Sequence, residues 1–139
     1  MNTTIDTIMK RCSTRVFDPE PLTDDEKSLI LQAAMRAPTA GAMMLYSIIE
    51  IDDQATKDQL AITCDNQPFI AKAPFVLLFL ADYQRWMDLY REAGCDKQAE
   101  TLGIANRTPG EGDMILAAMD ALIAAQTAVI AAESLGIGS

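Results

Sequence analysis

"MILAAMDALIAAQTAVIAA", Met114 to Ala132, approaches the length of a bilayer span, and how it is read decides the fold. Asp120 interrupts its middle, Gln126 follows, and alanine supplies much of its apolarity. A central Asp alone costs about 3 kcal/mol on insertion scales. Acidic residues flank both ends and no basic residue stands beside it, so the charge asymmetry that orients a span is missing. The segment is therefore expected to be a helix of a soluble protein. Being apolar nearly all round, it must be covered on most sides. Its alanines, Ala124 and Ala128 among them, permit close helix approach and suit a subunit interface.

Upstream of it, residues 96–112 carry Gly, Pro, Asn and charges and read as a loop. "DYQRWMDLYREAG" before that has the spacing of an amphipathic helix. "KAPFVLLFLAD" places seven apolar residues in a row after Pro74, which suits a strand buried on both sides by helices. "DQATKDQLAIT" reads as a helix, and "LYSIIEID", β-branched and aromatic, as a strand. "LTDDEKSLILQAAMRAP" is a helix with a capping box, Thr23 and Glu26, acids in its first turn and Pro38 beyond its end. Leu29, Ile30, Ala33, Ala34 and Ala37 form its apolar face. "TTIDTIMKR" is a short helix with Thr3 or Thr4 as N-cap. With 139 residues and no linker, the expectation is one domain, 1–139, with helices around a sheet.

Composition removes several chemistries. The net charge is −9, from 11 basic and 20 acidic residues, which opposes binding to nucleic acid or anionic lipid. There is no histidine, so a His-based nucleophile relay or zinc site is excluded within this chain. Cys12, Cys64 and Cys95 form no CxxC pair, which argues against a disulfide framework or metal site and fits a reducing, cytoplasmic compartment. The N-terminus shows no signal-peptide pattern, which points the same way.

Against this acidic background, "MKRCSTR" gathers Lys10, Arg11 and Arg15 around Ser13 and Thr14. In an extended segment Arg11, Ser13 and Arg15 share one side. Two guanidiniums and a hydroxyl on one side suit a phosphate, whose oxygens match the donor fork of Arg. Arginines near a chain end are more often solvated or paired with neighbours, here Asp18 and Glu20. "RAPTAGA" joins a helix to a strand with small residues, which let a flat ligand approach backbone amides or simply make an ordinary loop.

Four stretches together resemble the nitroreductase family of flavoproteins across nearly the whole chain. "IMKRCSTRVFDPEPLTDDEKSLIL" is similar to the family's Arg-x-Ser-x-Arg-x-Phe opening, and "AAMRAPTAGAMMLYSIIEI" to its Ala-Pro-Ser loop and first core strand. "AKAPFVLLFLAD" looks like the second core strand, and "AAQTAVIAAESLGIGS" like the long central helix with its Gly-x-Gly ending. The resemblance implies an α+β fold, a mixed sheet covered by helices on both faces, with the long central helix at a homodimer interface that holds FMN. It implies that Arg11, Ser13 and Arg15 hold the FMN phosphate and ribityl chain, with Cys12 contributing backbone. Pro38, Thr39 and Ala40 would approach the flavin ring from the partner subunit, and Gln67, with Asn66 beside it, would offer an amide. Many members carry an Asn and a Gln-Pro-Trp after the loop, where this chain has Ala42, Met44, Leu45 and Tyr46. That change is expected to weaken flavin binding at Ala42.

The implied activity is oxidoreduction with NAD(P)H as reductant and a small electron acceptor such as a nitroaromatic or quinone. No catalytic side chain and no metal ligand is named. Other flavin chemistry (reductive dehalogenation, flavin destruction) and a non-catalytic flavin-binding or partner-binding module are the alternatives. The chain stops at "GIGS" where relatives continue, so a missing C-terminal part is expected.

Overall fold

The computed structural model describes residues 2–139. Helix α1 (Thr3–Lys10) is capped by Asn2, whose Oδ1 accepts from the Thr4 N–H at 2.9 Å, one residue ahead of the expected Thr. Helix α2 (Asp24–Met35) has the predicted capping box, with Glu26 Oε2 accepting from the Thr23 N–H at 2.8 Å. Its inward face is Ile30 and Ala34, continued by Ala37, while Leu29 points to solvent. Strand β1 (Tyr46–Glu50), helix α3 (Gln54–Thr63) capped by Asp53, and helix α4 (Pro68–Lys72) follow.

Strand β2 (Leu77–Ala81) is shorter than the apolar run that announced it, because Phe75 and Val76 precede the ladder. It pairs antiparallel with β1, Tyr46 opposite Ala81 and Glu50 opposite Leu77. The α+β class stands, but among the described residues the sheet is this antiparallel pair and not a mixed one. Alternation sends Tyr46, Ile48, Leu77 and Phe79 toward α2 and the last helix, where they enclose the core. On the opposite face Ile49 and Leu80 stay partly exposed, while Ser47 and Leu78 are half-buried.

Helix α5 (Gln84–Glu92) is followed by a second departure from expectation. Cys95–Thr101 forms helix α6, where a loop was predicted, and only residues beyond it run without regular structure to Gly110. "CDKQAET" carries no apolar stripe, so periodicity gave no signal for it.

Helix α7 (Glu111–Ser134) is the axis of the molecule. By length and composition it could cross a membrane, yet it packs as a core helix. Its buried residues, Asp113, Ala117, Asp120, Ala121, Ala124, Ala128 and Ala132, form one stripe at three- and four-residue spacing. Small side chains along that stripe let α2 and the sheet approach closely. Ala124 and Ala128 therefore face the chain's own core and not a subunit interface. The outward face carries Met114, Ile115, Met119 and Leu122, the last 70% exposed.

Candidate functional site

Beyond α1 the chain runs as an extended arm, Arg11 to Phe17, against residues 138–139, in the segment that follows α7. The Thr14 N–H donates to the Ser139 carbonyl at 2.8 Å, and the Thr14 side chain packs on Gly138. A Cβ at Gly138 would collide with the Thr14 hydroxyl, so the glycine is what lets the arm lie this close. With Thr14 turned inward, Arg11, Ser13 and Arg15 take the alternate positions and are all exposed.

Asp18 and Glu20 do not neutralise the arginines. Asp18 Oδ1 accepts from the Glu20 N–H at 3.2 Å, and no ion pair involves Lys10, Arg11 or Arg15 among the described residues. The Arg15 guanidinium sits 4.9 Å from the centre of the Phe69 ring on α4, with Phe17 against the same ring. Stacking of this kind leaves the in-plane N–H groups able to donate. Cys12 is exposed and, like Cys64 and Cys95, a free thiol. Arg11, Ser13 and Arg15 are three exposed donors without partners among the described residues, within five residues of one arm, a set that suits a phosphate. An apolar cavity of about 400 Å³ lies nearby, lined by Phe17, Phe69, Phe79, Val129 and Ile137, and none of the three donors borders it.

The loop after α2 is built in the opposite way. Pro38 and Ala42 are exposed, Thr39 and Ala40 half-buried, and Ala40–Ala42 form a single 3-10 turn. Gly41, Ala42 and Met44 have φ of 56°, 56° and 52°, the left-handed region. For Ala42 and Met44 that conformation costs about 1–2 kcal/mol each. It persists because the backbone is fastened from several directions. Asp120 of α7, 3% exposed, accepts from the Ala40 N–H at 2.9 Å through Oδ1 and from the Leu45 N–H at 3.1 Å through Oδ2. Trp86 Nε1 donates to the Met43 carbonyl at 2.7 Å, and Arg85 donates to the Met44 carbonyl. Thr39 Oγ1 accepts from the Met44 N–H at 3.2 Å.

Asp82 anchors the same corner. It accepts from the Ser47 hydroxyl and from the Arg85 N–H, and its own N–H donates to the Leu45 carbonyl at 2.9 Å. The Ser47 hydrogen bond holds its carboxyl below the usual range against partial burial, with the Arg85 N–H and charge assisting. Asp120, Arg85 and Trp86 were not singled out as site residues. The available signal was Asp120 itself, a carboxylate in an apolar helix that must find donors.

Gln67 stands at the start of α4. It is the N-cap residue of α4, and its Nε2 donates to the Cys64 carbonyl at 3.0 Å, closing the turn in which Asp65 and Asn66 are left-handed. Asn66 is exposed. No hydrogen bond or ion pair joins the 38–42 loop to the arm among the described residues.

The nitroreductase family model matches residues 8–139. The chain belongs to the nitroreductase family. A NADPH-flavin oxidoreductase of Vibrio harveyi is 32% identical over 138 residues, 99% of this chain and 52% of that protein. An FMN reductase (NADPH) of Bacillus subtilis strain 168 is 35% identical over 94 residues, 68% of this chain and 38% of that protein. The solved structure of a NADPH:FMN oxidoreductase from Vibrio harveyi, complexed with NAD+, superposes with a TM-score of 0.85 at 29% identity, covering 99% of this chain and 53% of that one. The nitroreductase fold is thus shared, while the chain spans about half the length of the relatives it matches across its full extent.

Proposed function

We propose that this protein is an FMN-dependent oxidoreductase that takes reducing equivalents from NAD(P)H and passes them to a small acceptor such as a nitroaromatic or quinone. The observation that carries the reading is the unpaired Arg11–Ser13–Arg15 face in a chain of net charge −9 that belongs to the nitroreductase family. Two relatives bear names that specify flavin and NADPH, which supports the cofactor and the reductant. FMN, when bound, would supply the two-electron chemistry.

The chain's own residues do the rest. Arg11 and Arg15 would neutralise the phosphate, Ser13 would donate to it or to the ribityl chain, and Cys12 would contribute backbone. Pro38, Thr39, Ala40 and Ala42 would bound the ring end, with their backbone already fastened by α5 and α7. Gln67 spends one amide N–H on the Cys64 carbonyl, which leaves its second N–H and its Oε1 to meet the flavin or ribityl chain.

A homodimer belongs to the same reading, its support being the outward apolar face of α7 and the exposed Ile5, Ile8 and Met9 of α1. Leu122, not Ala124, is the residue to test: Leu122→Lys should convert a dimer to monomer in light scattering and release flavin with it. A cytoplasmic site accords with three free, exposed cysteines.

The test of function is direct. The purified protein loaded with FMN should lose its visible flavin absorption on anaerobic addition of NADPH and regain it when a quinone or nitroaromatic is added. Holoprotein that NADPH and NADH both fail to bleach would point to the non-catalytic module.

A further inference from the structure

We infer that Asp120 is a positioning residue for the ring end of the flavin site, an inference that rests on the flavin reading above. Its carboxylate is buried at the middle of α7, and its two oxygens take the N–H groups at the two ends of the 40–45 segment. Between those two anchors lie Gly41, Ala42 and Met44, all left-handed, a conformation that alanine and methionine do not favour. Two oxygens of one rigid side chain fix the separation of two amides, and hence the curvature of the backbone between them. Asparagine there would offer one acceptor oxygen and turn its NH2 donor toward the other amide.

Asp120 is also the one acid in the core stretch of α7, from Ala117 to Ala132, where the other buried residues are all alanine. A buried carboxylate costs several kcal/mol unless fully satisfied. Helix packing alone does not need it. What the carboxylate adds is the loop: with Trp86 and Arg85 holding the Met43 and Met44 carbonyls from α5, both faces of the turn are clamped and Pro38–Ala42 are presented as a fixed edge.

Native-state hydrogen exchange of the wild-type protein should show the Ala40 and Leu45 amides protected to the level of the α7 core. In Asp120→Asn their protection should fall about tenfold or more, with the Ala128–Ala132 amides unchanged. The same variant should bind FMN and riboflavin more weakly by an equal factor, about tenfold, because the loop bounds the ring and not the phosphate. Protection retained at Ala40 and Leu45 in the variant, protection lost evenly along α7, or weakening of FMN alone would each overturn the inference. If Asp120→Asn does not fold, wild-type exchange decides: solvent-like rates at the two amides refute the clamp. Wild-type protein that binds neither ligand removes the flavin reading, and exchange then still tells whether Asp120 holds the loop.

Discussion

The 38–45 loop and the 11–17 arm are both irregular backbone, but they are held to very different degrees. The loop has its amides and carbonyls fastened by Asp120, Trp86, Arg85 and Thr39, and it sustains two non-glycine residues in the left-handed region. The arm is fixed by one backbone hydrogen bond to Ser139, a threonine on Gly138 beyond α7, and two side chains on the Phe69 ring of α4. Its cationic side is left unpaired. A preformed wall suits a rigid ring, whereas charged donors on a lightly held arm suit an anion that completes their order on binding. The two regions should therefore respond separately to substitution.

The largest effect should come from prising the arm off the segment that follows α7. Gly138→Ala forces a Cβ onto Thr14, and overpacking of this kind costs about 1–3 kcal/mol. Chemical denaturation should register that loss and FMN titration a weaker complex, while exchange at Ala40 and Leu45 stays as in wild type. A coupled loss at both places would erase the distinction between arm and loop.

Acid should act on the loop's corner next. Because the Asp82 pKa is lowered in the folded protein, its contribution to stability is complete above the ordinary carboxylate value, about pH 4, and is lost as pH falls through the lowered value. Asp82→Asn should flatten the stability curve below about pH 4, by roughly 1 kcal/mol on the scale of one hydrogen bond, and leave neutral-pH FMN affinity nearly unchanged. An unaltered acid limb in thermal melts from pH 3 to pH 7 would mean that other carboxylates dominate, Asp113 first, whose pKa is lowered chiefly by the Gly110 N–H.

Smallest is the effect at Ala42, where two causes can be parted. Glycine relieves the left-handed strain without adding a polar group, and should raise stability by about 0.5–1 kcal/mol with little change in FMN affinity. Asparagine tolerates the same backbone and adds an amide, worth about 0.5–1.5 kcal/mol per hydrogen bond, so it should tighten FMN several-fold beyond the glycine variant. Equal affinities for the two would place the side chain of residue 42 away from the flavin.

Much of this was legible from short-range signals. The Thr23–Glu26 capping box marked α2, and the alternation Arg11–Ser13–Arg15 marked the arm, because each is written within a few residues. The Asp120 clamp was not legible, since its partners lie 75 and 80 residues away and are backbone amides, which any residue supplies. The left-handed Ala42 and Met44 were hidden too, because no propensity favours them there. The facing of α7 was misjudged for a related reason: a helix apolar on every side gives no stripe, so Ala124 and Ala128 could be assigned to the wrong neighbour.

Whether Arg11 and Arg15 hold the phosphate of FMN is decided by a pair of fluorescence-quenching titrations. FMN and riboflavin are titrated into wild type and the Arg11→Ala/Arg15→Ala variant at one fixed salt concentration. Charge-assisted hydrogen bonds contribute about 1.5–3 kcal/mol, so removing either arginine should weaken FMN about 10- to 100-fold, and the double variant further. Riboflavin, without the phosphate, should be nearly unaffected, and the preference for FMN should disappear. Equal weakening of both ligands, or no change in either, would contradict that role.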